Sequence, residues 1–201
     1  MGAEHWTRYA QERPARRLIN AAGARTWFNW TQYPDHGPGL EVLNLRPGAR
    51  VLDLGCGKGG NLAHVSATGH CGVGVDLSPL QVTHAHERWP DLTVVCADAL
   101  AYLEEGEAPF EAIYSVFGAL WFVDPDMLLP AIHRRLRGTL AFSYTFMNSV
   151  EGLPRWDLDP EEWTDRLEKH GFAEVELQQI APPDGVDRGQ PTFLMRAVRL
   201  G

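Results

Sequence analysis

Apolar residues gather in short runs through the middle of the chain, and each run is followed by a stretch with helical spacing. Strands are predicted at Arg50–Leu54, Cys71–Asp76, Leu92–Cys96, Phe110–Val116 and Thr139–Thr145. Helices are predicted from the glycine turn to about Thr68, from Pro79 to about Arg88, over Ala99–Glu104 and over Asp126–Leu136. Regular alternation of this kind implies a parallel sheet with right-handed crossovers. Beyond it, Asp159-Pro160-Glu161-Glu162 has the acid and proline of a helix start, and Gly171 is placed to end that helix. Phe172–Ile180 and Thr192–Val198 alternate as two further strands, joined through Pro182-Pro183-Asp184-Gly185. No internal repeat occurs.

Residues before position 50 are a different kind of segment. They hold Trp6, Tyr9, Trp27, Phe28, Trp30 and Tyr33, an aromatic density above the 10% of the whole chain. Two readings stand: a helical cap whose rings pack on the sheet, or a lid over a site at the strand ends that excludes water. Pro34-Asp35-His36-Gly37-Pro38-Gly39 then reads as a rigid connection into the core.

The chemistry centres on Val51-Leu52-Asp53-Leu54-Gly55-Cys56-Gly57-Lys58-Gly59-Gly60. An apolar strand ends in an acid and runs into a glycine turn that opens a helix, as a nucleoside site in an open α/β sheet requires. A phosphate-binding P-loop fails on spacing, because Gly59 stands where a Ser or Thr must follow Lys58. Gly55, Gly57 and Gly60 do satisfy the dinucleotide pattern, with Asp76 near the position of its ribose acid. Against it, Asp53 would stand beside a pyrophosphate. A sulfonium cofactor without phosphate turns that acid into an advantage.

Val51–Gly59 resembles motif I of the class I S-adenosylmethionine-dependent methyltransferases. Cys71–Ser78, Val94–Leu100 and Phe110–Ser115 are similar to that family's second, third and fourth strand segments, in the right order. The resemblance covers about Arg50 to Tyr144. It implies a seven-stranded, mostly parallel, doubly wound sheet with an antiparallel C-terminal hairpin and a helical N-terminal lid. One domain over 1–201 follows, with a cap over 1–45 and a Rossmann-like core over 46–201. The implied activity is in-line transfer of a methyl group from S-adenosylmethionine to an O, N, S or C nucleophile of a small molecule, leaving S-adenosylhomocysteine. By the same resemblance Asp76 holds both ribose hydroxyls and Asp98 the adenine amine. Tyr9, Asp53, Gly55, Cys56, Gly57, Leu77, Ala99 and Ser115 complete the expected cofactor contacts, with Cys56 reading as packing in its side chain.

Methyl transfer asks mainly for alignment and desolvation, and a base matters only where the nucleophile must lose a proton. His36 and Tyr144 are the candidates for that role. The segment after the fourth strand, Ser115-Val116-Phe117-Gly118-Ala119-Leu120-Trp121-Phe122, departs from the Asn/Asp-Pro-Pro-Tyr/Phe of amide and base methylases. It offers Phe117 and Trp121, with Trp30 from the lid, as an apolar wall for the acceptor. No metal is expected: His84 and His86 are two apart on a helix and face different ways.

Composition adds limits. A formal net charge of −8 argues against a polynucleotide partner, and the basic clusters at Arg13, Arg16 and Arg17 and at His133–Arg137 read as solvated faces. An acidic, aromatic start without an apolar run, and three cysteines without a C-x-x-C, point to the cytoplasm. No apolar run is long enough to span a membrane. A monomer or homodimer is expected. Two alternatives use the same glycines: an NAD(P)-dependent oxidoreductase, and a non-catalytic S-adenosylmethionine-binding regulator.

Overall fold

The computed structural model describes residues 3–12, 19–146, 155–187 and 189–200. β1 (Arg50–Leu54), β2 (Cys71–Asp76), β3 (Thr93–Cys96), β4 (Phe110–Val116) and β5 (Leu136–Tyr144) are parallel, and β7 (Thr192–Arg199) runs antiparallel between β5 and β6 (Phe172–Ile180). The resulting order is β3-β2-β1-β4-β5-β7-β6. β1 and β4 lie at the centre and are buried almost throughout, which is why their sequences read as continuous apolar runs. Chain direction reverses sides at β1, so the crevice outside the carboxyl ends of β1 and β4 is the switch point where such sheets bind ligands.

The helices begin where the sequence supplies caps. Ser78 caps α3 (Pro79–Arg88), Asp98 caps α4 (Ala99–Glu105) and Asp124 caps α6 (Pro125–Arg135), while Asp159 and Glu162 form a reciprocal capping box on α7 (Pro160–Lys169). Each such cap is worth about 1 kcal/mol. α2 (Gly60–Ala67) instead starts from Gly59 in the left-handed region, φ 71°. A short α5 (Ala119–Phe122) follows β4, an element too brief to leave a periodic signal. Two apolar layers result. One packs α4, α6 and α7 on the sheet around Phe110, Leu128 and Trp163, and the other packs Val65 of α2 with Phe28, Trp30 and Leu43 on the opposite face.

Three sequence expectations change. β5 begins at Leu136 rather than Thr139, and its register against β4 slips where Gly138 passes within reach of the Glu111 carbonyl; a Cβ at Gly138 would stand 2.5 Å from that oxygen. Arg135 is no solvated residue. It is 5% exposed and its fork donates to the Ala108 carbonyl at 3.1 and 2.9 Å and to Leu103 O at 3.1 Å, charge that suits the carbonyl end of α4. The N-terminal cap, finally, is helical among the described residues only in α1 (Ala3–Glu12) and in a single 3-10 turn, Leu40–Leu43. Over residues 29–36 local side-chain bonds draw the backbone away from helix. Thr31 Oγ1 donates to Tyr33 O or His36 O, and Asn29 Nδ2 donates to Thr31 O and Tyr33 O.

Candidate active site

Asp53 is buried at the end of β1, and β1–β4 pairing sets Tyr114 beside it, so that the Tyr114 hydroxyl donates to Asp53 Oδ2 at 2.8 Å. Burial pushes the Asp53 carboxyl up to about 7; the Tyr114 bond opposes the shift and nearby Asp76 adds to it. The same burial drives the Tyr114 phenol well above its ordinary range, so this hydroxyl stays a donor. Tyr114 was not singled out in the sequence. Only the register Asp53↔Tyr114 reveals it, which requires knowing that β1 and β4 are neighbours.

Asp76 closes the glycine turn. Its Oδ2 accepts from the Gly57 N–H at 2.8 Å and its Oδ1 from the Ser78 N–H at 2.9 Å, while burial holds its pKa above the usual aspartate value against both bonds. The three left-handed glycines of the turn have different jobs. A Cβ at Gly55 would strike Ala119 N and Gly118 Cα at 2.9 Å, and one at Gly59 would crowd Leu92 at 3.3 Å, so both serve packing. A Cβ at Gly57 would meet only Gln81 Nε2 at 3.9 Å and otherwise open space. Of the three, Gly57 alone has open space beside it.

The remaining cofactor candidates divide. Cys56 turns its thiol toward Gly74, where a Cβ would stand 2.7 Å from its sulfur, and burial raises its pKa well above the thiol range; it packs rather than reacts. Ala99 is a core residue, and the Ser115 hydroxyl is spent on Leu54 O at 2.7 Å, tying the ends of β4 and β1 together. Asp98 Oδ1 caps α4 through Ala101 N at 3.0 Å, leaving its other oxygen outward. Leu77 is half-buried beside Asp76. Tyr9 falls on α1, its side chain outside the described residues.

Two acceptor-side expectations are redrawn. Trp30 is fully buried, packs on Phe28 and Tyr114 and donates its indole N–H to Gly39 O at 2.8 Å; it is core and not a pocket wall. His36 lies at the far side of the sheet, its Nε2 at 2.7 Å from Ala181 O just after β6. β6 is four strands from β1, about 19 Å at the usual strand spacing, so the structure does not bring His36 to Asp53. Phe117 and Trp121 do sit together, ring centroids 6.1 Å apart, directly after β4. Phe117 holds φ 50°, a conformation costly for an aromatic residue and typical of functional turns. Trp6 of α1 meets Phe122 edge-on at 4.6 Å and Thr7 Oγ1 lies 3.4 Å from Ser78 Oγ, so α1 bridges the crevice from α5 to α3. Tyr144 is buried at the end of β5, its hydroxyl without a hydrogen-bond partner among the described residues, and burial followed by Asp159 raises its pKa. A phenol held neutral this way serves as a donor and not as a base. Among the described residues no three His, Cys, Asp or Glu side chains converge as a metal ion needs, and no helix is long and apolar enough to cross a membrane.

Residues 51–139 match a family model described as a methyltransferase domain. The chain is similar to the cyclopropane-fatty-acyl-phospholipid synthase of Escherichia coli, 34% identical over 162 residues, covering 77% of this chain and 38% of that protein. It is also similar to a demethylmenaquinone methyltransferase of Beutenbergia cavernae, 38% identical over 79 residues, covering 39% of this chain and 32% of the relative. The chain therefore spans about a third of the length of these curated relatives. Among solved structures, the 1,6-didemethyltoxoflavin-N1-methyltransferase of Burkholderia thailandensis, solved with its substrate and S-adenosylhomocysteine, shares the fold with a TM-score of 0.65 at 24% identity, over 81% of this chain and 75% of that one. Residues 51–139, which hold the acid-flanked glycine turn and Asp76, thus resemble a methyltransferase domain, set in a sheet of the order β3-β2-β1-β4-β5-β7-β6.

Proposed function

We propose that the chain binds S-adenosylmethionine and transfers its methyl group to a small-molecule acceptor, releasing S-adenosylhomocysteine. The observation that carries this reading is the buried Asp53 and half-buried Asp76 around an open Gly57: Asp53 suits a cationic ligand end, and Asp76 has lone pairs left for a ribose. A pyrophosphate between two carboxylates is unfavourable, which disfavours a dinucleotide. When bound, the cofactor supplies an activated methyl group. Asp53 would hold its cationic methionine end, Asp76 its ribose hydroxyls and Asp98 its adenine amine, and Leu77 would pack beside the base.

Methyl transfer leaves the protein the tasks of alignment and dehydration. α1 is suited to cover the crevice, carrying Tyr9 and Trp6, and the strained Phe117 with Trp121 to form the acceptor wall. The Tyr144 hydroxyl, unpartnered among the described residues, is a donor available to orient an acceptor. In this reading 1–201 is one domain, with 46–201 as its catalytic core and 1–45 as its cap, working in the cytoplasm as a monomer or homodimer without nucleic acid. Incubation with methyl-labelled S-adenosylmethionine and a panel of small nucleophiles tests it. Label should move to at least one small molecule and to no RNA or DNA; label on nucleic acid alone would overturn the proposal.

A further inference from the structure

A cleft of about 310 Å³ opens in the N-terminal segment, outside the residues assigned to the cofactor. Its size falls at the lower end of small-molecule pockets. Trp27 and Phe28 supply its aromatic surface, and Asn20, Asn29, Asp35 and His36 its polar groups. Phe28 backs onto Tyr114 at 5.1 Å between ring centroids, and Tyr114 bonds Asp53, whereas His36 rests on the chain after β6. Asn29 is tied to Asn61 in the first turn of α2, so the cleft lies between the start of that helix and the chain after β6.

Its walls are built, not incidental. Thr31 cross-bonds Tyr33 and His36, Trp30 anchors Gly39, and Asn29 and Asn61 exchange two hydrogen bonds at 3.1 and 3.0 Å. Asp35 and Gly37 hold φ 56° and 96°, and a Cβ on Gly37 would strike Thr31 Cγ2 at 2.9 Å. Such a loop is fixed before any ligand arrives, which lowers the ordering cost of binding.

At its far end Asp35 keeps an acceptor oxygen beside the Asn20 amide. Asp35 uses Oδ2 for Ala21 N at 3.0 Å and keeps Oδ1. A carbonyl can only accept, so His36 Nε2 donates to Ala181 O. Neither lysine nor arginine lines the cleft among the described residues. We propose that this cleft is the acceptor's recognition pocket and that it takes an elongated small molecule with a protonated amine or other organic cation at its tail, the apolar body lying on Trp27 and Phe28. The cation meets Asp35, and the aromatic faces add a cation–π contribution. This rests on the methyl-transfer reading, but it assigns the amine to recognition and leaves the nucleophile near Asp53.

The test is a titration of the full chain with phenethylamine, phenylacetate and 2-phenylethanol, followed by tryptophan fluorescence, with S-adenosylhomocysteine calorimetry on the same preparations. Phenethylamine should give a saturable change that Trp27→Phe removes, and Asp35→Asn should weaken it about tenfold, as loss of a charged hydrogen-bond partner does, with Asp35→Glu recovering part of the loss. S-adenosylhomocysteine affinity should be the same in Asp35→Asn as in the parent chain. Equal responses to the amine and the carboxylate, a response that survives Trp27→Phe, no response to phenethylamine, or no effect of Asp35→Asn would overturn the proposal. Failure of the parent chain to bind S-adenosylhomocysteine would overturn the methyl-transfer reading instead, whatever the amine does.

Discussion

Asp53 is held at a cost that a single substitution can reveal. Its carboxyl titrates near 7 in the fold against 3.8 for an ordinary aspartate, because it is buried. At low pH it is protonated in both the folded and the unfolded chain and costs nothing. As pH rises from about 4 to 7 the unfolded chain gives up the proton first, so folding stability falls, and above 7 the loss is constant at about 4 kcal/mol. Asp53→Asn abolishes this dependence while its side-chain oxygen still accepts from Tyr114. The new amide hydrogens lack a partner, which costs about 1–3 kcal/mol at every pH. The contrast between two pH values is free of that cost: relative to the parent, Asp53→Asn should gain about 2.5 kcal/mol more at pH 8 than at pH 5. Urea unfolding of both chains at the two pH values measures it. Calorimetry at pH 8 should show the opposite change in function, with S-adenosylhomocysteine bound more weakly by the variant because its ammonium has lost a carboxylate. An equal effect of the substitution at both pH values, or unchanged ligand affinity, would refute the argument that Asp53 is a strained acid kept for a cationic ligand.

Gly57→Val should weaken cofactor binding more than Asp98→Ala, because the side chain enters the crevice while the alanine removes one contact; calorimetry that ranks them equally or in reverse would mean that Gly57 does not face the ligand. Phe117→Gly should lower kcat, because it removes a ring from the proposed acceptor wall; steady-state kinetics with kcat unchanged would contradict that role. Deletion of residues 1–12 should leave a folded chain with weaker S-adenosylhomocysteine binding and little turnover. Deletion of residues 1–33 should abolish soluble expression, since it strips the buried Phe28 and Trp30, each worth about 3–5 kcal/mol; a soluble product would show that these rings are not core.

The sheet was legible because its strands are bounded by glycine, proline and acid caps whose local chemistry matches the fold, as Ser78-Pro79 and Asp159-Pro160 illustrate. The site was legible where function lies in the backbone turn itself, at Gly57 and Asp76. What escaped depends on neighbours distant in the chain. Tyr114 becomes meaningful only beside Asp53, Arg135 is buried only because Ala108 and Leu103 offer carbonyls to it, and Gly55 is a packing glycine only because α5 crosses above it. The aromatic density before residue 50 gave the right surplus of rings but not their division. Phe28 and Trp30 went to the core while Trp6 stayed at the crevice, a split decided by side-chain bonds of Thr31 and Asn29 that hydrophobic patterning does not register.

The account turns on which nucleoside ligand the glycine turn accepts, and side-by-side calorimetry of the full chain with S-adenosylhomocysteine, NAD and NADP tests this most directly. S-adenosylhomocysteine should bind with one site per chain at micromolar strength, fall by about 2–4 kcal/mol in Asp76→Ala as charged hydrogen bonds are lost, and neither dinucleotide should give a saturable heat. Binding of NAD or NADP with no response to S-adenosylhomocysteine would contradict it.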